Sequence, residues 1–503
     1  MVPSKLAPRF PSHHGAVPVP FHLNTAQNPT VQLLAADAPG PNRHGLSLLH
    51  GWLPLTLQVI AIIVLAMAIG WRTRRWRLVW LPVALGIGLA VAAWTHWYVD
   101  SQGMAGDPAP DSLWVWTGLT GFALGIAVLG WRGIKWRRLA AVAAVPLCLL
   151  GTGLALNNWV GYFPTVQLAW NQLTAGPLPD ETDAATVTAM QQAGTVLNHG
   201  SVVPVDIPAT ASGFKHRQEL VYLPPKWFAT NPPPKLPVVM MIAGEFNTPA
   251  DWLRTGNAAA IVDAFAAAHG GNAPVLVFVD SGGSFNNDTE CVNGVRGNVA
   301  DHLTKDVVPY VNSHYGTSTD SADWGVVGWS MGGTCAVDLT VMHPELFSSF
   351  LDIAGDMGPN AGTKDQTIAR LYSGDAAKWA QFDPSTVMTK HGPYQGVSGW
   401  FAISTDAPAQ KHSGAGAEDA VGLGGRDAAG NPGDQTEAAN TLCALGHTLG
   451  ITCSVVPTKG RHDWPLATQV FTAALPWLFG AIHTPGVAAV PLPAGAPATP
   501  QGR

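Results

Sequence analysis

Trp324-Gly325-Val326-Val327-Gly328-Trp329-Ser330-Met331-Gly332-Gly333 is the stretch whose reading decides the fold. Apolar, β-branched residues lead to Gly328. A Gly-x-Ser-x-Gly pentapeptide then turns the chain into a helical pattern over Gly333–Met342. A sharp strand-to-helix turn of this kind lifts a serine hydroxyl clear of the backbone, and glycines two residues to either side remove side chains that would clash. The bare pentapeptide arises easily by chance in a chain with 55 glycines. The apolar strand before it and the helix after it favour a nucleophile at Ser330 over a structural turn.

Working outward, strand patterns fall at Glu219–Leu223, Pro237–Ile242, Val275–Val279, Gly325–Gly328, Phe347–Ile353, Trp400–Ser404 and Thr452–Val456. Helical patterns separate them at Ala250–His269, Val299–Ser313, Gly333–Met342, Glu437–Leu449 and Leu466–Phe479. Such alternation predicts an α/β class, with a mostly parallel sheet and helices on both faces. Together with the serine turn it specifies an α/β-hydrolase fold.

A serine hydroxyl needs a base, and in this fold the order along the chain is Ser, acid, His. Of the late histidines His391, His412, His447 and His462, the last follows the final strand and precedes the terminal helix. His462 is therefore the expected base. Asp406, just after strand Trp400–Ser404, is the simplest acid. Asp427 or Asp434 could fold back from the Gly-rich insert to the same place, although turn formation or capping of the helix near Glu437 would also explain them. Asp463 reads as a local loop residue. The oxyanion hole requires two backbone N–H donors, expected at Met331 and, from the loop Ala243-Gly244-Glu245-Phe246, at Glu245.

The first 162 residues are of another kind. Only 12% of the 503 residues are charged, 47% are hydrophobic, and there are 20 Trp against 7 Tyr. Residues 1–46 form a Pro- and His-rich tail without a signal-peptide pattern. Four apolar runs follow, Trp52–Trp71, Leu78–Tyr98, Leu113–Trp131 and Leu139–Tyr162. Each matches the roughly 20 residues needed to cross a bilayer as a helix. Arg72, Arg74, Arg75 and Arg77 lie between the first two, and Arg132, Lys135, Arg137 and Arg138 between the last two; Asp100, Asp107 and Asp111 lie between the second and third. Basic loops stay in the cytoplasm, so everything beyond Tyr162 is expected outside it. Gln58 and His96 within the spans form no chain of ionisable groups, which points to anchoring over transport.

The expected domains are thus the tail 1–46, the spans 47–162, a connector 163–215, the hydrolase domain 216–482 and a disordered Pro/Ala-rich end 483–503. A net charge of −6 offers no basic surface for nucleic acid. Cys148 lies in an apolar run. Cys291, Cys335, Cys443 and Cys453 are an even set compatible with disulfides, their pairing open. No zinc-type Cys/His spacing is present, so neither a metal nor a cofactor is expected.

Gly244-Glu245 with Trp252, Gly328-Trp329-Ser330-Met331-Gly332, His343-Pro344-Glu345-Leu346-Phe347 and Gly460-Arg461-His462-Asp463-Trp464 together resemble the putative-esterase family of esterase D-like enzymes and mycolyltransferases. The resemblance spans about Gln218–Phe479. It implies Ser330 as nucleophile, His462 as base and the Glu245 and Met331 N–H groups as oxyanion donors. The long insert departs from that pattern where the acid should lie. Several spans before such a domain also resemble actinobacterial hydrolases of aminoacyl-phosphatidylglycerol. On that reading the loop carboxylates Glu245, Asp280 and Asp356 receive an α-amino cation and Trp329 contacts substrate; the bland alternative is solvated or helix-capping carboxylates.

Three functions are compatible with these residues. One is a serine esterase acting on membrane lipid or envelope esters. The second is an envelope acyltransferase, which would share the triad and differ only in its acceptor. The third is a non-catalytic binding domain, against which the intact Ser, His and glycines weigh.

Overall fold

A computed structural model describes residues 45–70, 73–102, 109–131, 134–174, 176, 178–405 and 432–495. Among these, four helices are long and apolar enough to cross a membrane: α1 (Trp52–Ile69), α2 (Trp76–Gln102), α3 (Asp111–Leu129) and α4 (Lys135–Val160). α2 packs on α3, α3 on α4, and α4 on α1. Small residues let the helices approach closely, as lipid-embedded packing requires. A Cβ at Gly88 would lie 2.6 Å from the Gly118 carbonyl, and one at Gly151 would lie 2.3 Å from the Trp116 ring. Thr120 and Thr152 hydroxyls bond across α3 and α4 at 2.9 Å. Gly70, after α1, faces the Arg137 guanidinium at the start of α4. The two arginine-rich turns therefore meet at one end of the bundle.

After a short helix α5 (Val166–Leu173) and a second, Ala184–Gln192, comes the sheet. Its strands are β1 (Ser201–Val205), β2 (Glu219–Leu223), β3 (Val238–Ile242), β4 (Val275–Val279), β5 (Trp324–Trp329), β6 (Ser349–Ile353), β7 (Ser398–Ser404) and β8 (Thr452–Thr458). Among the described residues they lie in the order β1-β2-β4-β3-β5-β6-β7-β8. β2 is antiparallel to both neighbours, and the strands from β4 to β8 run parallel. β2 to β6 are buried along their whole length, the mark of a sheet covered on both faces. One face packs under Val299–Tyr315 and Met331–Met342, the other under Ala258–Ala268 and Trp464–Ala481.

The expected α/β-hydrolase architecture is present, with three differences. The sheet begins inside the expected connector, because β1 pairs with β2 from Ser201↔Leu223 to Val205↔Glu219. The helix expected over Ala250–His269 is two helices, Asp251–Arg254 and Ala258–Ala268, broken where Asn257 takes φ 53°. Residues 483–495, expected to be disordered, pack back on the sheet edge, and the Ser454 hydroxyl donates to the Pro493 carbonyl at 2.6 Å. Residues 1–44 of the expected tail 1–46 lie outside the described residues.

Two disulfides form, Cys291–Cys335 and Cys443–Cys453, and Cys148 is buried and free. Cys335 sits in the helix that follows Ser330, and Cys291 in the long loop after β4, so the first bridge staples that loop to the nucleophile helix. With the two cysteines 44 residues apart, replacing both by serine is expected to lower the unfolding free energy by about 4 kcal/mol through loop entropy. Denaturant unfolding of the full chain checks this, and an unchanged midpoint would contradict it.

Candidate active site

The turn at Ser330 is built by close backbone packing. A Cβ on Gly328 would lie 1.6 Å from the Gly332 carbonyl, and one on Gly332 would lie 2.3 Å from the Ile242 carbonyl. Ser330 itself takes φ 58°, ψ −123°, a strained conformation for a residue with a side chain. It is held there from both sides. Its N–H donates to the Ile353 carbonyl at 2.8 Å, and its carbonyl accepts from Gly333 N at 2.7 Å. The Met331 N–H heads the helix Met331–Met342, where no preceding turn supplies an acceptor.

His462 Nε2 stands 2.9 Å from Ser330 Oγ. The imidazole lies on the Trp329 ring, centroids 4.3 Å apart. Its loop is pinned to the end of β7, where the Ser404 hydroxyl donates to the Gly460 carbonyl at 2.6 Å. Asp463 caps the terminal helix through Leu466 N at 3.2 Å, the local role expected of it. Desolvation lowers the His462 pKa to about 4, so the ring is neutral at neutral pH, as a base must be.

At the other ring nitrogen, Nδ1, the described neighbour is the Gln435 Nε2 amide at 3.4 Å. The Gln435 Oε1 is occupied, accepting from Ser404 N at 3.1 Å, so the amide presents a donor to the ring. A donor at Nδ1 favours the tautomer with its proton on Nε2, which cannot take a proton from Ser330. A working base therefore calls for a carboxylate at Nδ1. The candidates Asp406 and Asp427 lie outside the described residues. Asp434 lies in the first turn of the helix Pro432–Thr448, next to Gln435, and its side chain is likewise not described.

Ser330, His462, Trp329, Met331, Glu245 and Asp356 line one cleft. Gly244 sits against the nucleophile, its Cβ position 3.2 Å from the Ser330 Cβ, which brings the Glu245 backbone to the serine. Asp280 is a correction. It is not in the cleft lining; Arg217 binds it through N at 2.5 Å, Nε at 3.1 Å and a terminal nitrogen at 2.6 Å. Burial raises its carboxyl, but the bonds and charge of Arg217 outweigh this and hold it below the usual range. Asp280 belongs to the scaffold. Arg217 also donates to the Asn247 carbonyl at 2.8 Å, bracing the loop that carries Glu245.

Sequence reasoning missed two sets of lining residues. Asp288 and Glu290, from the loop after β4, join Glu245 and Asp356 to make a wall of four carboxylates. Glu290 is buried, and desolvation followed by repulsion from Asp288, Asp356 and Glu245 drives its pKa well above the usual value. The nearby cation is Arg296, 3.4 Å from Asp288. The second set is Trp159, Val160 and Tyr162, from the end of α4 and the turn after it. The Asp-x-Glu-Cys spacing was a usable signal for the first set only once the Cys291–Cys335 bridge was known.

Among the described residues, two other clusters have ligand atoms close enough to hold a metal. Cys443 and Cys453 are bonded to each other, so their sulfurs are committed. In the cluster of His216, Glu219 and His302, both His216 nitrogens face carbonyl oxygens at 2.8 Å, those of Arg217 and Ile207. His302 faces Glu219 at 3.1 Å and Asp306 at 3.4 Å. Both ring nitrogens of each histidine are already engaged by oxygen atoms of the core, and the cluster reads as a hydrogen-bonded part of the scaffold.

Residues 215–423 match the family described as putative esterase. That stretch is similar to the family over less than half of the chain, and the protein is a serine ester hydrolase. Over 318 residues the chain is 29% identical to an uncharacterized protein of Corynebacterium glutamicum, covering 60% of this chain and 71% of the relative. Among solved structures it is similar to an S-formylglutathione hydrolase from Agrobacterium tumefaciens, with 16% identity, 57% of this chain and 97% of that one covered, and a TM-score of 0.42. A fluorophosphonate-binding serine hydrolase of Staphylococcus aureus gives 14%, 56%, 99% and 0.41 in the same order.

The esterase site yields a pH test for the acid. Burial alone puts His462 at about 4, whereas a carboxylate at Nδ1 raises it. Asn variants of Asp406, Asp427 and Asp434 should separate cleanly. The one that removes the acid should lose roughly 10⁴-fold in kcat and move the acid limb of kcat/KM down toward pH 4. In that variant the folded imidazole has a pKa below the unfolded value of about 6.5. The stability contributed by neutral His462 is then complete above that value and is lost as pH falls toward 4. Three variants with wild-type profiles would show that no carboxylate among them serves Nδ1.

Proposed function

We propose that this chain is a membrane-anchored esterase facing away from the cytoplasm, acting on bilayer-held esters whose acyl group is cationic, such as aminoacyl-phosphatidylglycerol. Ser330 attacks the ester carbonyl, His462 takes its proton and returns it to the departing lipid alcohol, and water then resolves the acyl-enzyme by the reverse route. The Met331 and Glu245 N–H groups stabilise the tetrahedral oxyanion. Asp406 is the acid of choice, because β7 ends beside the His462 loop, with Thr405 N donating to the Thr458 carbonyl at 3.1 Å.

One observation carries the reading: the cleft at Ser330 has the end of a membrane-length helix as one wall and four carboxylates as another. The first wall suits a substrate held in lipid. The second suits an α-amino cation, since an ammonium ion between Glu290, Asp288, Asp356 and Glu245 would offset the mutual repulsion of these carboxylates. The cluster of both arginine-rich turns at one end of the bundle supports the orientation.

The direct assay incubates the full chain in vesicles with lysyl- or alanyl-phosphatidylglycerol and, in parallel, with diacylglycerol. The wild type should release amino acid and leave the neutral ester largely intact. Ser330→Ala should lose roughly 10⁶-fold in kcat and all labelling by a fluorophosphonate, with folding unchanged. Preference for the neutral ester would remove the cationic part of the reading. Orientation is checked by fusing alkaline phosphatase after Phe479. The fusion should be active, and the same position fused to a cytoplasm-dependent fluorescent protein should be dark; the reverse pattern inverts the topology.

A further inference from the structure

The turn between α4 and the esterase domain carries a helix, α5, whose apolar side is left exposed by the described residues. Val166, Trp170 and Leu173 are 39%, 65% and 76% exposed. Their spacing of four and three residues puts them on one face. Leu168, off that stripe, is buried, and Gln167 and Asn171 flank it, bonded to each other at 2.9 Å.

The bilayer is the occupant that the surroundings select. α5 starts six residues after α4 ends. Its first residue is tied to the chain entering α1: Val166 N donates to the Leu46 carbonyl at 2.9 Å, and Leu48 N to the Pro164 carbonyl at 3.0 Å. The helix is thus pinned where two spans leave the membrane. The turn is rigid, because the Asn157 side chain donates to the Phe163 carbonyl at 2.9 Å and accepts from Phe163 N at 2.6 Å. An indole and two aliphatic side chains on one short face at that level fit the headgroup boundary.

The other side of α5 reaches the catalytic cleft through one buried carboxylate. Asp251 accepts from the Gln172 amide of α5 at 2.7 Å, from the Tyr162 hydroxyl of the cleft wall at 2.8 Å, and from Thr248 N at 2.6 Å. Thr248 lies three residues after Glu245. The membrane-facing helix, the lipid-side wall and the loop beside Ser330 are therefore joined at a single point.

We propose that α5 is an interfacial helix, its Val166–Trp170–Leu173 face immersed in the headgroup boundary on the esterase side, and that through Gln172, Asp251 and Tyr162 it sets the mouth of the cleft for esters held in the bilayer over esters in water. The proposal rests on the esterase reading above and adds where the substrate enters. It places Trp170 and Leu173 as positioning residues, outside the cleft lining.

The test uses the full chain in phosphatidylcholine vesicles with two esters of one acyl group, lysine ethyl ester in solution and lysyl-phosphatidylglycerol in the bilayer. Trp170→Ser with Leu173→Ser should cut kcat/KM for the lipid ester about tenfold, a loss of roughly 1.4 kcal/mol, and leave the soluble ester and fluorophosphonate labelling near wild type. Trp170→Leu should restore the rate on the lipid ester. Equal losses on both esters, or none on either, overturn the proposal. A polarity-sensitive dye on Leu173→Cys supplies a readout independent of turnover. Bilayer-like emission supports immersion, whereas water-like emission sinks it even if both esters are hydrolysed. A wild type that hydrolyses neither ester yet shows bilayer-like emission would count against the esterase reading and leave the helix where it is proposed to lie.

Discussion

The contact of Gly332 with the Ile242 carbonyl, and of Gly328 with Gly332, leaves no room for a side chain. That constraint draws the first turn of the helix Met331–Met342 down onto β3 and β5, and the strained φ of Ser330 follows from it. The chain can fold so tightly only if the strands beneath are central and fully buried, as β3 and β5 are. Once the turn is closed, the hydroxyl stands at the carboxyl ends of the parallel strands, where every neighbouring loop also emerges. The loop after β3 brings Gly244 to the serine, the loop after β6 brings Asp356, and the loop after β8 brings His462. The cleft is a consequence of strand direction, and its chemistry of what each loop happens to carry.

The strands were legible because burial on both faces produces short continuous apolar runs bounded by turn residues. β1 escaped because Ser201-Val-Val-Pro-Val contains Pro204, which argues against a strand in the interior of a sheet but is tolerated at an edge, where β1 lies. The break at Asn257 was also signalled, by Gly256-Asn257, and was overridden by the apolar periodicity on either side. Ser330 and His462 could be placed because chain order and position after a strand are local properties. Asp288 and Glu290 could not, since their approach to Ser330 depends on a disulfide closed over 44 residues. Asp280 misled for the opposite reason. It occupies the expected loop position, yet its partner Arg217 is distant in sequence, and a loop carboxylate that is already paired reads the same as one that is free.

Electrostatics give the cleft its character. Four carboxylates around a partly closed space is an expensive arrangement in a medium of reduced dielectric constant. Part of the cost is met by Arg296, whose guanidinium donates to the Asp288 carbonyl at 2.5 Å and to the Gln102 carbonyl of α2 at 2.7 Å. Burial and the neighbouring carboxylates also push the Glu290 carboxyl well above the usual carboxylate range. Asp288 and Glu290 stay buried beside the nucleophile, an arrangement that costs stability, since a buried charge loses its hydration.

The bundle is more than a tether, because it supplies part of the site. Arg296 and Arg370 hold the end of α2, through the Gln102 and Asp100 carbonyls, and Asn286 meets the Tyr98 hydroxyl. The end of α4 forms a wall of the cleft. The esterase domain is thus fixed to the bundle at two separate points, the end of α2 and the end of α4. Asp251 has five donors directed at it from Tyr162, Gln172, Asn247 and Thr248. A small displacement of the membrane-facing segment would leave buried donors without their acceptor, a cost of about 1–3 kcal/mol for each, so the wall and the loop beside Ser330 are obliged to move, or stay, together.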